Sequence, residues 1–330
     1  MRLKAPSIRA WSILLVVLAA VFLCRLTAVA FGEPQSKEES TASSQPVQKG
    51  FSTPQEAADG LIQAAADFNT ASLLEILGPD GRDLVSSSDP VQDKNKAEAF
   101  AAKAREKHFV EFDPKNSKRA TLSVGNDDWP LPIPIVKRKG QWYFDSKAGR
   151  EEILRRRIGA NELDAIQVCR GFVEAQREYA EEKHDGSEVN QYAQKIISTP
   201  GKHDGLAWQN PDGSWGGPVG EGIARVLAEG YTSKSQPFHG YFFKVLKAQG
   251  PDAPLGEMDF VVNGAMIGGF ALAAAPAEYR VTGVQTFIVG YDGIVSQKDF
   301  GPDTLKIFQE VVRYNPDKTW HRTDDEWSED

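Results

Sequence analysis

Residues 99–124, AFAAKAREKHFVEFDPKNSKRATLSV, decide the fold class because the spacing of their apolar residues changes in the middle. As far as Lys107 the stretch is typical of a helix, which we expect to begin near Asp93. From His108 the period changes to two, so Phe109–Phe112 and Ala120–Val124 are predicted to be strands. A helix that passes directly into strands predicts a mixed α+β fold.

The residues on either side extend this pattern over 51–150. Thr53-Pro54-Gln55-Glu56 has the cap, proline and acidic residue that begin a helix, and Leu73–Leu77 predicts a second, short helix. Residues 133–137 and 142–144 predict two more strands. Helices followed by a curved antiparallel sheet are similar to nuclear transport factor 2-like domains, an architecture that hosts enzymes and binding modules alike.

The second half, 151–330, opens with a helical tract. It runs from about Gly149 to Lys183, and we expect a break near Gly159. Its apolar stripe comprises Leu163, Ile166, Cys169, Phe172, Val173, Gln176 and Tyr179. A loop-rich region follows, from His184 to Gly220, and a closing helix is predicted over Asp303–Tyr314. Between them five strands are predicted, at 239–246, 258–262, 266–273, 285–289 and 294–297, with a hairpin turn ending in Asp292-Gly293. The strand pattern of residues 240–301 is similar to the sheet of pilin and pseudopilin globular domains.

Residues 1–30 have the order of a secretory signal peptide. Basic residues come first, an apolar run occupies 11–24, and Ala28-Val29-Ala30 is a small-residue cleavage signal. The apolar run is shorter than the roughly 20 residues that a membrane-spanning helix needs, so we expect cleavage and a periplasmic or secreted protein. The alternative is an inner-membrane anchor formed by residues 11–24. Residues 31–50 are mostly polar and predict a disordered linker.

Charge and cysteine content exclude several classes of function. The chain has net charge −8, and loss of the four basic residues in the first thirty makes the remainder −12. Such a surface repels nucleic acid and anionic lipid, so membrane attachment is expected only through an uncleaved signal segment. Cys169 is the one cysteine left after cleavage, which excludes an intramolecular disulfide, and its apolar surroundings predict a buried residue rather than a nucleophile.

The tripeptide His-Asp-Gly occurs twice, as His184-Asp185-Gly186 and His203-Asp204-Gly205. Two His and two Asp residues could complete a divalent metal site or an acid–base pair if the fold brings the copies together. Neither spacing matches a known metal-ligand pattern, and the competing interpretation is that Asp-Gly forms turns while the histidines make local contacts. No other cofactor is predicted.

Two tryptophans flank the second copy on its C-terminal side. Trp208 and Trp215 could stack on a sugar or peptide ring, as binding-site aromatics do. We favour the simpler interpretation, in which they anchor a long loop to the body of the protein.

Several phrases of this sequence resemble one family of exported bacterial proteins, domain of unknown function 2950. They span nearly the whole chain after residue 50: Phe51–Pro54, Arg156–Leu163, Ala175–Tyr179, Ser198–Trp208, Gly240-Tyr241, Ala248–Pro251, Gly268–Leu272, Pro276–Tyr279, Gly283–Val289 and Asp299–Pro302. The resemblance implies an envelope location and a shared fold, and it carries no activity from which a catalytic residue could be assigned.

Two functions remain open on this sequence. The leading hypothesis is a non-enzymatic envelope module that binds a partner protein or a wall polymer, because an export signal is present and no catalytic signature is. The alternative is a metal-assisted hydrolase that uses His184, Asp185, His203 and Asp204.

Overall fold

The computed structural model describes residues 48–87, 89–219 and 237–323. The predicted signal segment 1–30, the alternative anchor 11–24 and residues 31–47 of the predicted linker lie outside them. The chain divides into two compact units between Leu154 and Arg155. Helices and mainly antiparallel sheets make up the structure, which confirms the α+β class. No helix in the described part is both long and apolar enough to cross a membrane.

The first unit begins with a group of helices. These are α1 (Pro54–Ala66), α2 (Thr70–Leu77), α3 (Arg82–Val85) and α4 (Pro90–Glu106). The sequence signal for α1 acts as expected, because the Thr53 hydroxyl accepts the Glu56 backbone N–H at 3.1 Å and Pro54 occupies the first turn. Asp89 caps α4 in the same way, through the Gln92 N–H at 3.0 Å.

A five-stranded antiparallel sheet follows the helices of the first unit. Its strands are β1 (His108–Asp113), β2 (Asn116–Val124), β3 (Trp129–Pro130), β4 (Ile135–Arg138) and β5 (Gln141–Phe144), in the order β1-β2-β4-β5 with β3 paired to β2. Ala120 and Leu122, which are alternate residues of β2, and Ile135 of β4 are fully buried. They form one core with Ala57 and Ala58 of α1.

The last three residues of the predicted linker are ordered. The Gln48 side-chain amide donates to the carbonyls of Ile76 and Phe144 at 2.9 and 2.8 Å, and the Lys49 N–H donates to Glu75 O at 2.8 Å. These bonds place residues 48–50 in the first unit, although their side chains are polar. Composition does not reveal this because the contacts are made by an amide and the backbone.

The long helix α5 (Ser146–Tyr179) is continuous, so the predicted break at Gly159 is wrong. A glycine inside a helix costs about 1 kcal/mol relative to alanine, which weakens a helix without ending it. The predicted stripe is buried from Ile166 to Tyr179, but Leu163 is 54% exposed.

The main sheet of the second unit is also antiparallel. It contains β9 (Tyr241–Leu246), β14 (Ala271–Pro276), β15 (Thr286–Gly290), β16 (Val295–Lys298) and β17 (His321–Arg322), in the order β17-β16-β15-β14-β9. Two short hairpins complete the strands of this region: β10 (Ala248–Gln249) with β11 (Met258–Asp259), and β12 (Val261–Val262) with β13 (Ala265–Met266). The closing helix α6 (Thr304–Glu310) is shorter than predicted.

The region 184–219, predicted as loop, contains a small sheet. Its strands are β6 (Lys195–Ile197), β7 (Gly205–Gln209) and β8 (Trp215–Gly216), with β6 parallel to β7 and β8 antiparallel to it. The strands are too short, and too often interrupted by proline and glycine, for a period of two to show in the sequence.

Candidate functional site

The structure brings the two His-Asp-Gly segments together. Both carboxylate oxygens of Asp185 accept the backbone N–H of His203, at 2.8 and 3.0 Å. Asp185 and Gly186 have φ angles of 51° and 74°, so the first copy forms a tight turn at the end of α5. One aspartate therefore joins the two copies through its side chain. The first copy also makes the Asp-Gly turn that the simpler interpretation expects, whereas in the second copy Gly205 begins strand β7.

Asp204 of the second copy closes the loop that joins β6 to β7. Its carboxylate accepts the Thr199 N–H at 2.7 Å, the Thr199 hydroxyl at 2.8 Å and the Lys195 ammonium at 2.8 Å. Partial burial acts to raise the pKa of Asp204, but the hydrogen bonds from Lys195 and Thr199 outweigh it and lower the pKa to about 2. Asp204 is therefore an ion-paired carboxylate that holds the loop in shape.

Tyr179, the last residue of α5, contacts both His-Asp-Gly segments. The Tyr179 and His184 rings stack at 3.8 Å with an interplanar angle of 18°, and the Tyr179 hydroxyl donates to the carbonyl of His203. Burial, together with the nearby carboxylates of Asp185 and Asp204, raises the pKa of Tyr179 to about 12, so the hydroxyl stays protonated and remains a donor.

The hydrogen bond of His184 determines its tautomer. Nε2 lies 2.8 Å from the carbonyl oxygen of Tyr179, which can only accept, so Nε2 carries the proton. In the neutral ring Nδ1 then holds the lone pair and is an acceptor.

The two tryptophans do not share a face of the small sheet. Trp208 pairs with Gly216 and Trp215 pairs with Gln209, so the two side chains point to opposite sides. The Trp208 ring covers Gly216, where an added Cβ would meet its Nε1 at 2.6 Å, and it also lies 4.4 Å from the His203 ring. These contacts are those of a loop anchor, and a stacking role for either tryptophan stays a prediction.

A cleft of about 580 Å³ opens beside the joined segments. Its lining includes His184, Asp185, Tyr192, Lys195, Lys202 and Asp204. Lys202 is exposed, and within residues 48–87, 89–219 and 237–323 its ammonium has no hydrogen-bond or ion-pair partner. The cleft therefore offers two carboxylates, two ammonium groups, an imidazole and phenol hydroxyls.

The carboxylates of the cleft already have partners. No three His, Cys, Asp or Glu side chains of the described ranges are grouped so that they could hold a metal ion. The Lys195 ammonium at Asp204 opposes a cation there, and the Asp185 oxygens already accept a backbone N–H. Cys169 is fully buried, and burial raises its pKa to about 12, which excludes a reactive thiolate and agrees with the prediction from its surroundings.

Two residues of the cleft carry no signal in the sequence. Tyr192 and Lys195 belong to no motif and reach the cleft only because β6 and the loops beside it fold there, whereas Lys202 lies within the phrase Ser198–Trp208. Tyr179 could have been noticed, since it ends one of the phrases that carry the family resemblance.

Comparison with known proteins identifies the family. The profile described as "Protein of unknown function (DUF2950)" matches residues 48–323, which is most of the chain. The chain therefore belongs to this family, and the resemblance seen in the sequence is confirmed. No curated protein and no solved structure matches the chain, so the likeness to nuclear transport factor 2-like domains and to pilins stays a prediction.

Proposed function

We propose that this member of the DUF2950 family is an exported, non-enzymatic module that binds a wall polymer in the cleft beside the two His-Asp-Gly segments. The observation that supports the proposal is the joining of the two segments by Asp185, which makes one polar cleft beside segments whose bonded residues, Asp185 and His203, lie 18 positions apart in the sequence. Export is inferred from residues 1–30, whose composition and order are those of a signal peptide.

The charges of the cleft favour a neutral polar ligand. Asp185 and Asp204 balance Lys195 and Lys202, so a ligand of either sign would meet an equal number of like charges. Hydroxyl and amide groups, which donate and accept at once, suit such a mixed lining, and a glycan of the wall carries both. A protein partner would ordinarily need a more apolar centre to its interface than this lining provides.

The state of the side chains favours binding over catalysis. The Ser187 hydroxyl donates to the carbonyl of Val189 at 2.8 Å, and Asp204 is held in its ion pair. A hydroxyl nucleophile needs a base within hydrogen-bond reach, but the Tyr179 and Ser187 hydroxyls of the cleft donate to backbone carbonyls instead. The metal-assisted hydrolase stays the alternative: the contact between Asp185 and His203 brings the copies together as it requires, but the Lys195 ammonium opposes a cation at Asp204.

The test is cosedimentation of the full chain with insoluble wall polymer. We expect saturable binding that falls about tenfold in Lys202→Ala and several-fold in Tyr192→Phe, because each variant removes one polar contact and leaves the fold intact. Lys306→Ala and Tyr279→Phe are the matched controls, since both residues lie in the second unit and neither lines the cleft.

The supernatants of the same experiment test the absence of catalysis. Release of soluble wall fragments by the wild type, lost in His203→Ala, would overturn the non-enzymatic assignment. Failure of the wild type to bind at all, or equal loss in the cleft variants and the controls, would overturn the cleft as a binding site.

A further inference from the structure

The turns of the first sheet bring positive charge together at one end of it. Arg119 pairs with Val136 in the β2–β4 ladder, so Lys118 and Lys137 lie side by side one residue further along. The β1–β2 turn and the β4–β5 turn therefore lie at the same end of the sheet. We name this end, comprising Lys115, Lys118, Arg119, Lys137 and Lys139, the basic end.

The basic end is exposed and without local neutralisation. All five side chains are exposed, and none of them forms an ion pair with any carboxylate of the described chain. The neighbouring Arg138 is neutralised by Asp145 at 2.7 Å. Glu111 and Asp113 are the acidic residues on the adjoining strand β1, so positive charge predominates at this end.

A cleft and an exposed aromatic residue lie at the basic end. Ser117, Lys118, Lys137, Lys139 and Gly140 line a cleft of about 360 Å³. Phe112, on the same end of β1, is 55% exposed although it is a large apolar side chain, and its ring contacts the buried Trp142 edge-on at 5.7 Å.

We propose that the basic end binds the anionic headgroups of a membrane surface. Lys118 and Lys137 point to one face of the sheet and Arg119 to the other, because adjacent residues of a strand alternate. A small anion bound on one face would leave the charges on the other face without a partner. A flat membrane surface that the end of the sheet approaches would contact the charges of both faces. The exposed Phe112 ring suits the boundary between headgroups and acyl chains.

The negative charge of the whole chain does not oppose this contact. At physiological ionic strength charges more than about 8 Å apart in solvent are largely screened, so the local charge of the basic end governs its approach to a surface. The proposal adds this one surface to the signal segment as a place where an acidic protein would contact lipid.

The test measures partition of the full chain onto vesicles of phosphatidylglycerol and onto vesicles of phosphatidylcholine alone. Residues 1–30, whose four basic residues also favour phosphatidylglycerol, are common to all variants, so the part of the excess that a variant loses reports the basic end. Each lysine near an anionic surface contributes roughly a factor of five, so Lys118→Glu/Lys137→Glu/Lys139→Glu should reduce that excess by about 100-fold or more. The milder triple alanine variant should lie between it and the wild type.

The control is Lys96→Glu/Lys147→Glu/Lys306→Glu, which changes the net charge equally at three exposed sites outside the basic end. We expect it to keep the excess, and we expect the excess of the wild type to fall steeply as salt is raised. Equal loss in both triple variants, or no excess on phosphatidylglycerol, would overturn the proposal. Lysine-dependent binding of soluble polyphosphate without any excess on vesicles would also overturn it, by replacing the membrane with a soluble polyanion.

Discussion

Replacing Asp204 by Asn should destabilise the protein at neutral pH and have little effect in acid. The Asp204 pKa falls from an ordinary 3.8 to about 2 because Lys195 and Thr199 hydrogen-bond the charged form. A shift of this size corresponds to about 2.4 kcal/mol, but the side chain is 31% exposed, and screening by solvent reduces the expected loss to about 1–2 kcal/mol. Because the folded-state pKa is lowered, this stabilisation is present above pH 4 and is lost as the pH falls toward 2.

The assay is urea unfolding of the wild type and Asp204→Asn at pH 7, 5 and 3, with Lys195→Met and the double variant completing a cycle. The difference in free energy of unfolding should be full at pH 7 and 5 and clearly smaller at pH 3. In the cycle, the coupling between Asp204 and Lys195 should account for only part of the loss, because Thr199 donates two further bonds. A difference that stays constant from pH 7 to pH 3 would refute the role assigned to the charged carboxylate.

Three further predictions concern the second unit. Cys169 should not react with a thiol reagent at pH 8 until the protein is unfolded by denaturant, because burial raises its pKa to about 12; a fast native-state reaction would contradict this. Gly283→Ala should lower the free energy of unfolding by about 1–3 kcal/mol, since an added Cβ would lie 2.2 Å from the hydroxyl of the buried Tyr241; unchanged urea unfolding would show that this site can relax. Lys244→Met should cost about 2 kcal/mol in the same assay, because the ammonium donates to the carbonyls of residues 308, 309 and 311 at the end of α6, and an unaltered midpoint would contradict that capping role.

The sequence predicts the fold where local pattern and tertiary environment agree. The turn at Asp292-Gly293 joins β15 to β16 as expected, and the change of period at His108 marks the start of the first sheet. Prediction from the sequence fails where an element ends because of a contact with residues far away in the sequence. The closing helix ends at Glu310 rather than Tyr314, because Tyr314 N–H and C=O pair with Ala248 and Gly250 of a segment far away in the sequence.

The sequence predicts the position of the candidate site but not its contacts, because those contacts depend on distant parts of the chain. A repeated His-Asp-Gly could be noticed in the sequence, and its position in a loop-rich region suggested a site. The sequence could not show that Asp185 would bind the His203 backbone while Asp204 would bind Thr199, because identical tripeptides give no reason to expect different partners. The partner of each aspartate depends on the direction of the chain before its copy, because the first copy follows a helix and the second follows a Pro-Gly turn.

The phrases that identify the family act mainly on the backbone. Glu162 accepts the N–H groups of Val284 and Gln285 at 2.8 and 3.0 Å, and Gln176 both donates to and accepts from the backbone of Ala193 at 2.8 Å. Such side chains are buried or partly buried and satisfied, so they position loops and leave no group for a ligand. The Lys202 ammonium, in the phrase Ser198–Trp208, is an exception because it keeps free polar atoms in the cleft. We call the side chains that bind the backbone, such as Glu162 and Gln176, the frame. Changes to the frame should therefore lower stability and binding together, whereas Lys202→Ala should lower binding alone, and this separation distinguishes a binding residue from a structural one.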